Sequence, residues 1–160
     1  MKKIIVGVLV MAMAFAFCAC GSSSTEKATY DSIYEEYSAK IEDAGAKALD
    51  EFKDEASSKS DVNSLAELAN DKVSDIATVQ VEGGSKMAEL MNKNGDEYSK
   101  YEKAYKKLYS VYNDEAMKVY KEYISKYADT VPGMTDSVKQ SMLDSLESGL
   151  ESMAPIESEK

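Results

Sequence analysis

Tyr98, Tyr101, Tyr105, Leu108, Tyr112, Ala116, Val119, Tyr123 and Tyr127 recur at three- and four-residue steps, and this stripe constrains the fold more than any other feature of the chain. A period near 3.6 puts all of them on one face of a single helix about eight turns long. Asn94, with Glu97 three residues on, is placed to cap its start, Gly95 sits in the preceding turn, and Val131-Pro132-Gly133 ends it. Asp96/Lys100, Glu102/Lys106, Asp114/Lys118 and Glu122/Lys126 are acid-before-lysine pairs four residues apart. Each adds about 0.2–0.5 kcal/mol to a helix and marks its solvated face.

The rest of the chain carries the same signal. Tyr30, Ile33, Tyr34, Tyr37, Ile41, Ala44, Ala48 and Phe52 predict a first long amphipathic helix. A second runs from Val62 through Leu65, Leu68, Ala69, Val73, Ile76, Val79, Met87, Leu90 and Met91, with Ser64 and Glu67 spaced as a capping box. Gly83-Gly84 interrupts its pattern and either kinks or breaks the helix or admits a neighbouring backbone. Met134, Val138, Met142, Leu143, Leu146 and Leu150 predict a shorter fourth helix. The expected fold is all-α, an antiparallel bundle of three long amphipathic helices plus one short C-terminal helix, roughly 45 Å long.

At the N-terminus, Lys2 and Lys3 precede an uncharged run from Ile4 to Phe17, and the run closes on Phe17-Cys18-Ala19-Cys20-Gly21. A positive region, an apolar core and a small residue before the cut are the parts of a secretory signal, and the apolar run is shorter than the roughly 20 residues a membrane span needs. The segment resembles the lipobox of bacterial lipoproteins, departing from the usual pattern at Phe17 and Cys18. The resemblance implies that Cys20 is acylated and becomes the new N-terminus. Cys18 is the poorer candidate because the bulky Phe17 precedes it. On this reading residues 1–19 are removed and residues 20–28 carry the lipid and a tether that includes Gly21-Ser22-Ser23-Ser24-Thr25-Glu26. Residues 29–153 form the helical domain and residues 154–160 a disordered tail. The chain would then sit on the extracytoplasmic face of the cell membrane, its remaining cysteine consumed by lipid and no disulfide available.

Composition removes several classes of function. The formal net charge is −10, and loss of Lys2 and Lys3 makes it more negative, so the surface repels nucleic acid. The chain has no histidine and no tryptophan, and every basic residue is lysine. There is no imidazole base, no nitrogen ligand for zinc and no guanidinium clamp for phosphate. Asp61 and Asn63 begin a calcium-loop pattern, but Ala66 and Lys72 stand where glycine and the closing glutamate belong. Asn92 to Glu97 offers oxygens that turn chemistry already explains. Glu35/Glu36 and Glu42/Asp43 are neighbours on a helix and point apart, so they make no glycosidase pair. Gly83-Gly84-Ser85-Lys86 lacks phosphate-loop spacing. No catalytic residue, metal site or cofactor is assigned, and the chain is expected not to be an enzyme.

The tyrosines are the remaining peculiarity. All 11 lie beyond Cys20, where Phe52 is the one phenylalanine. Their rings either line helix seams with hydroxyls at the rim or form a partly exposed ladder able to stack on sugars or a partner protein. Tyr109 and Tyr120 lie beside the main stripe and are expected to be the most exposed, which makes them the candidate ligand or partner contacts. The stretch from Lys86 to Tyr98, with the lysine- and tyrosine-rich helix after it, resembles small helical bacterial lipoproteins of no assigned activity. It implies the same surface address and no catalytic residue. The expected function is a membrane-anchored, non-catalytic binding or structural module for a protein or cell-envelope partner, its acidity favouring a basic one. The alternative is a glycan or small-ligand binder using a tyrosine-lined cleft.

Overall fold

The computed structural model describes residues 28–59 and 61–152. Residues 1–27, which hold the signal segment, Cys20 and most of the tether, lie outside the described residues, as do residue 60, residue 153 and the tail at 154–160. Within them the chain is all-α: α1 spans Tyr30–Ala56, α2 Val62–Asn94, α3 Tyr98–Thr130 and α4 Asp136–Ser152. The first three helices pack on one another, while α4 packs on α3 alone.

Local chemistry sets the ends. Thr29 caps α1 with a reciprocal box: its hydroxyl accepts from the Ser32 N–H at 3.1 Å, and Ser32 Oγ accepts from the Thr29 N–H at 2.9 Å. Asp61 caps α2 by accepting from the Ser64 N–H at 2.9 Å. The expected Ser64/Glu67 box is therefore corrected: Ser64 lies inside the first turn, because the Asp61 carboxylate reaches both its N–H and its hydroxyl. Asn94 is likewise the last residue of α2 rather than the cap of α3. Gly95 closes α2 in the left-handed region at φ 65°, which a side chain disfavours, and its N–H and that of Asp96 both return to the Met91 carbonyl. Glu97 then precedes α3 without a side-chain cap bond. Val131-Pro132-Gly133 ends α3 as expected, with Gly133 at φ 84°.

The core follows the stripes with instructive exceptions. Phe52, Ile41, Leu65, Ile76, Met87 and Leu108 are fully buried where the three long helices meet. Gly45 is buried on α1 while Ala44 is only half-buried, and the Glu115 side chain of α3 lies against Gly45 so closely that an added Cβ would stand 2.7 Å from Glu115 Cβ. α2 continues through Gly83-Gly84, so the pair does not break the helix. A Cβ on Gly83 would meet Leu108 Cδ2 at 2.6 Å and Tyr37 Cγ at 2.8 Å, and one on Gly84 would meet the Tyr105 ring at 2.5 Å. The close approach is made by side chains of α1 and α3, not by a neighbouring backbone.

Ion pairs join α2 to α1. Lys72 of α2, little exposed, donates to Glu51 and Glu55 of α1, each at 2.8 Å. Burial opposes its charge, but these bonds outweigh it and raise its pKa, while the Lys72 bond lowers that of Glu51. On α3, the buried Glu115 accepts from Lys118 at 2.6 Å, so Lys118 turns to Glu115 rather than to Asp114. Asp96/Lys100 and Glu102/Lys106 pair as the spacing predicts, at 3.0 and 3.3 Å.

Candidate functional site

The tyrosines of α3 form a continuous ladder. Tyr98, Tyr101, Tyr105, Tyr109 and Tyr112 contact one another in sequence, with ring centroids 5.6, 5.7, 6.2 and 5.5 Å apart. Steps of three and four residues make this possible, because such residues stand over one another on a helix. The ladder grades from solvent to core: Tyr98 is 47% exposed, Tyr101 and Tyr105 are half-buried, and Tyr109 and Tyr112 are buried. Burial raises the pKa of Tyr101 and Tyr109, and it takes that of Tyr112 to about 12.

Tyr109 and Tyr120 are not the exposed tyrosines that their place beside the stripe predicts. Tyr109 is 8% exposed and its hydroxyl donates to the Leu150 carbonyl at 3.1 Å, so it is the ring on which the end of α4 rests. Tyr120 is half-buried, its hydroxyl donates to Asn70 Oδ1 of α2 at 3.2 Å, and burial raises its pKa. The physical reason is shared. α3 has neighbours on three sides, α1, α2 and α4, so residues flanking its main stripe are covered as well. Tyr98, placed on the stripe, is the tyrosine that stands out.

The seam between α3 and α4 holds two open grooves. One, of about 310 Å³, is lined by Tyr109, Asn113, Met117, Leu150 and acids including Glu147 and Glu151. Asn113 Oδ1 is buried with no hydrogen-bond partner among the described residues. The other, of about 580 Å³, is lined by Tyr123, Val138, Met142 and Leu146 together with Ser137, Ser141 and Ser145. Tyr123 lies 6.0 Å from the ring of Tyr127, and burial with the neighbouring Tyr127 raises its pKa. Val138 is 47% exposed there, although its spacing placed it on the apolar face of the fourth helix. The sequence showed the apolar residues of this groove but not that a single neighbour, α3, would leave them half covered.

Among the described residues no group of three or more acidic or cysteine side chains could hold a metal ion, and no helix is long and apolar enough to cross a membrane. No protein-family model, curated protein or solved structure matches the chain.

Proposed function

We propose that the chain is a lipid-anchored, non-catalytic helical module that binds a basic protein partner along the second groove between α3 and α4. The observation that carries the reading is the one-sided seating of α4. It comes close to α3 alone, has Leu150 as its one buried residue, and leaves Val138, Met142 and Leu146 beside Tyr123 in an open apolar groove. Its charged side chains are mostly acidic: Asp136, Asp144, Glu147 and Glu151 against the single Lys139, which itself pairs with Asp136 at 3.7 Å. An apolar, serine-edged groove on a helix whose charged side chains are mostly acidic suits a partner that pairs an apolar stripe with basic residues.

The arrangement that would present this groove is an antiparallel bundle with α4 returning along α3. Three contacts support it: Glu51 and Glu55 with Lys72, Tyr120 with Asn70, and Tyr109 with Leu150. The lipid on Cys20 rests on the signal-like N-terminus. It would hold the module at the extracytoplasmic face of the membrane, where a partner meets it at high local concentration.

Affinity capture from solubilised cell envelope tests the partner reading. Val138→Glu with Ser141→Glu changes two exposed positions of the groove. A basic protein retained by the wild type and lost by this variant supports the reading, and equal retention overturns it. For the anchor, Cys20→Ser abolishes labelling by a radioactive fatty acid, and label that survives the change overturns the assignment.

A further inference from the structure

At the opposite end of α3 from that groove, its first turns meet the start of α1 around a third concavity, of about 270 Å³. α3 contributes Lys100, Lys103 and Lys107, and α1 contributes Tyr30, Asp31 and Tyr34. Spacings of three and four residues along α3 put the three lysines on one face, and Ala104 between them is small enough to leave a hollow. We propose that this hollow binds an acidic saccharide unit: a hexose-sized ring bearing one carboxylate or phosphate. The site is separate from the partner groove and does not depend on the anchor.

Three features of the hollow specify that chemistry. The first is unused positive charge. Acids outnumber lysines across the chain, yet Lys103 and Lys107 form no ion pair with a carboxylate among the described residues. Lys107 Nζ lies instead 5.9 Å from the centre of the Tyr34 ring, and Lys100 is held by Asp96 at 3.0 Å. Two exposed lysines lining a tyrosine-walled hollow provide for an anion.

The second feature is the aromatic wall. Tyr30 and Tyr34 lie one turn apart on α1, and a tyrosine ring offers a flat apolar face with a polar edge, which suits the alternating C–H and hydroxyl surface of a sugar. The third is Asp31, an exposed carboxylate on the same rim. It would repel a bare phosphate or sulfate but accepts hydrogen bonds from the hydroxyls of a sugar, so the lining calls for a ligand with both an anionic group and hydroxyls. The volume, just below the roughly 300 Å³ at which small-molecule sites begin, limits the occupant to about one ring.

Titration of the purified full-length chain in detergent micelles tests this. Tyrosine fluorescence is the readout, since the chain has no tryptophan. Glucuronic acid, glucose 6-phosphate, glucose, inorganic phosphate and trigalacturonic acid are the probes. The expected result is saturable binding of at least one acidic sugar, weakened by added salt and at least tenfold tighter than either glucose or inorganic phosphate. Lys103→Glu with Lys107→Glu, both at exposed positions, weakens it at least tenfold, and the charge-matched Lys121→Glu, some 20 Å further along α3, leaves it unchanged. Tighter binding of trigalacturonic acid than of glucuronic acid assigns the site to a unit of a polymer, and the reverse assigns it to a free sugar; either supports the proposal. Absence of saturable binding of every acidic sugar, binding of glucose or phosphate as tight as that of the acidic sugars, or binding that survives the double lysine change overturns it.

Discussion

Gly83 and Gly149 are both helical glycines, yet alanine acts oppositely at the two. At Gly83 a new Cβ meets Tyr37 Cβ at 2.9 Å and Tyr37 Cγ at 2.8 Å, atoms close to a backbone that cannot swing away. Overpacking of this kind costs about 1–3 kcal/mol, and the helix propensity of alanine returns roughly 1 kcal/mol. Gly83→Ala is expected to lower the Tm by several degrees in calorimetry. Gly84→Ala meets only the edge of the half-buried Tyr105 ring, which can turn aside, and is expected to cost less. Nothing lies within 4 Å of a Cβ on Gly149, so Gly149→Ala raises stability by up to about 1 kcal/mol. The glycine pair was plain in the sequence. Its purpose was not, because the rings that fill the space come from positions about 45 residues before it and 20 after.

Tyr112 makes a second prediction at this scale. Burial, with smaller contributions from Tyr109 and Tyr120, takes its folded pKa from 10.0 to about 12. The folded state therefore favours the neutral ring. Its contribution to stability is complete below pH 10 and is lost as pH rises toward about 12. Tyr101, Tyr109, Tyr120 and Tyr123 are shifted in the same direction. Ionisation of these shifted tyrosines, read by absorbance, is expected late and together with loss of helical circular dichroism. A late rise with helix fully retained would contradict this coupling.

Among the elements, α4 is the one whose attachment differs in kind. Each of the three long helices packs on the other two, whereas α4 depends on α3, one buried leucine and one tyrosine hydroxyl bond. Such an element opens locally at lower free energy than the core. Hydrogen–deuterium exchange is expected to show α4 amides exchanging well before those of α1 to α3. Tyr109→Phe, which removes a bond worth about 0.5–1.5 kcal/mol, should hasten exchange in α4 and leave the rest unchanged. The existence and order of the four helices were legible, because apolar residues recur at helical spacing in each. The cap positions were less so: Asn94 and Ser64 are good capping residues, but Gly95 and Asp61, one position away and three, satisfied the helix ends better. On α3, Ala104, Met117 and Ile124 were missed as core because they lie off the tyrosine stripe; Ala104 lies beside α1 and Met117 beside α4.

For the molecule as a whole, charge and exposure divide the surface into unlike regions. An excess of acids gives the chain its net charge of −10, yet three lysines gather at the start of α3 beside two tyrosines of α1. Their spacing was visible in the sequence, but the pairing of that face with α1 was not. The apolar residues of α4 were equally visible, and their incomplete cover was not. Another protein, we propose, completes this cover. Photo-crosslinking in living cells tests it most directly, with the reactive group placed at Val138 in the groove or at Lys47 on the exposed face of α1. One dominant basic protein is expected to be captured from position 138 and not from position 47, with capture lost when Ser141→Glu is added. Equal capture from both positions, or none from position 138, would contradict it.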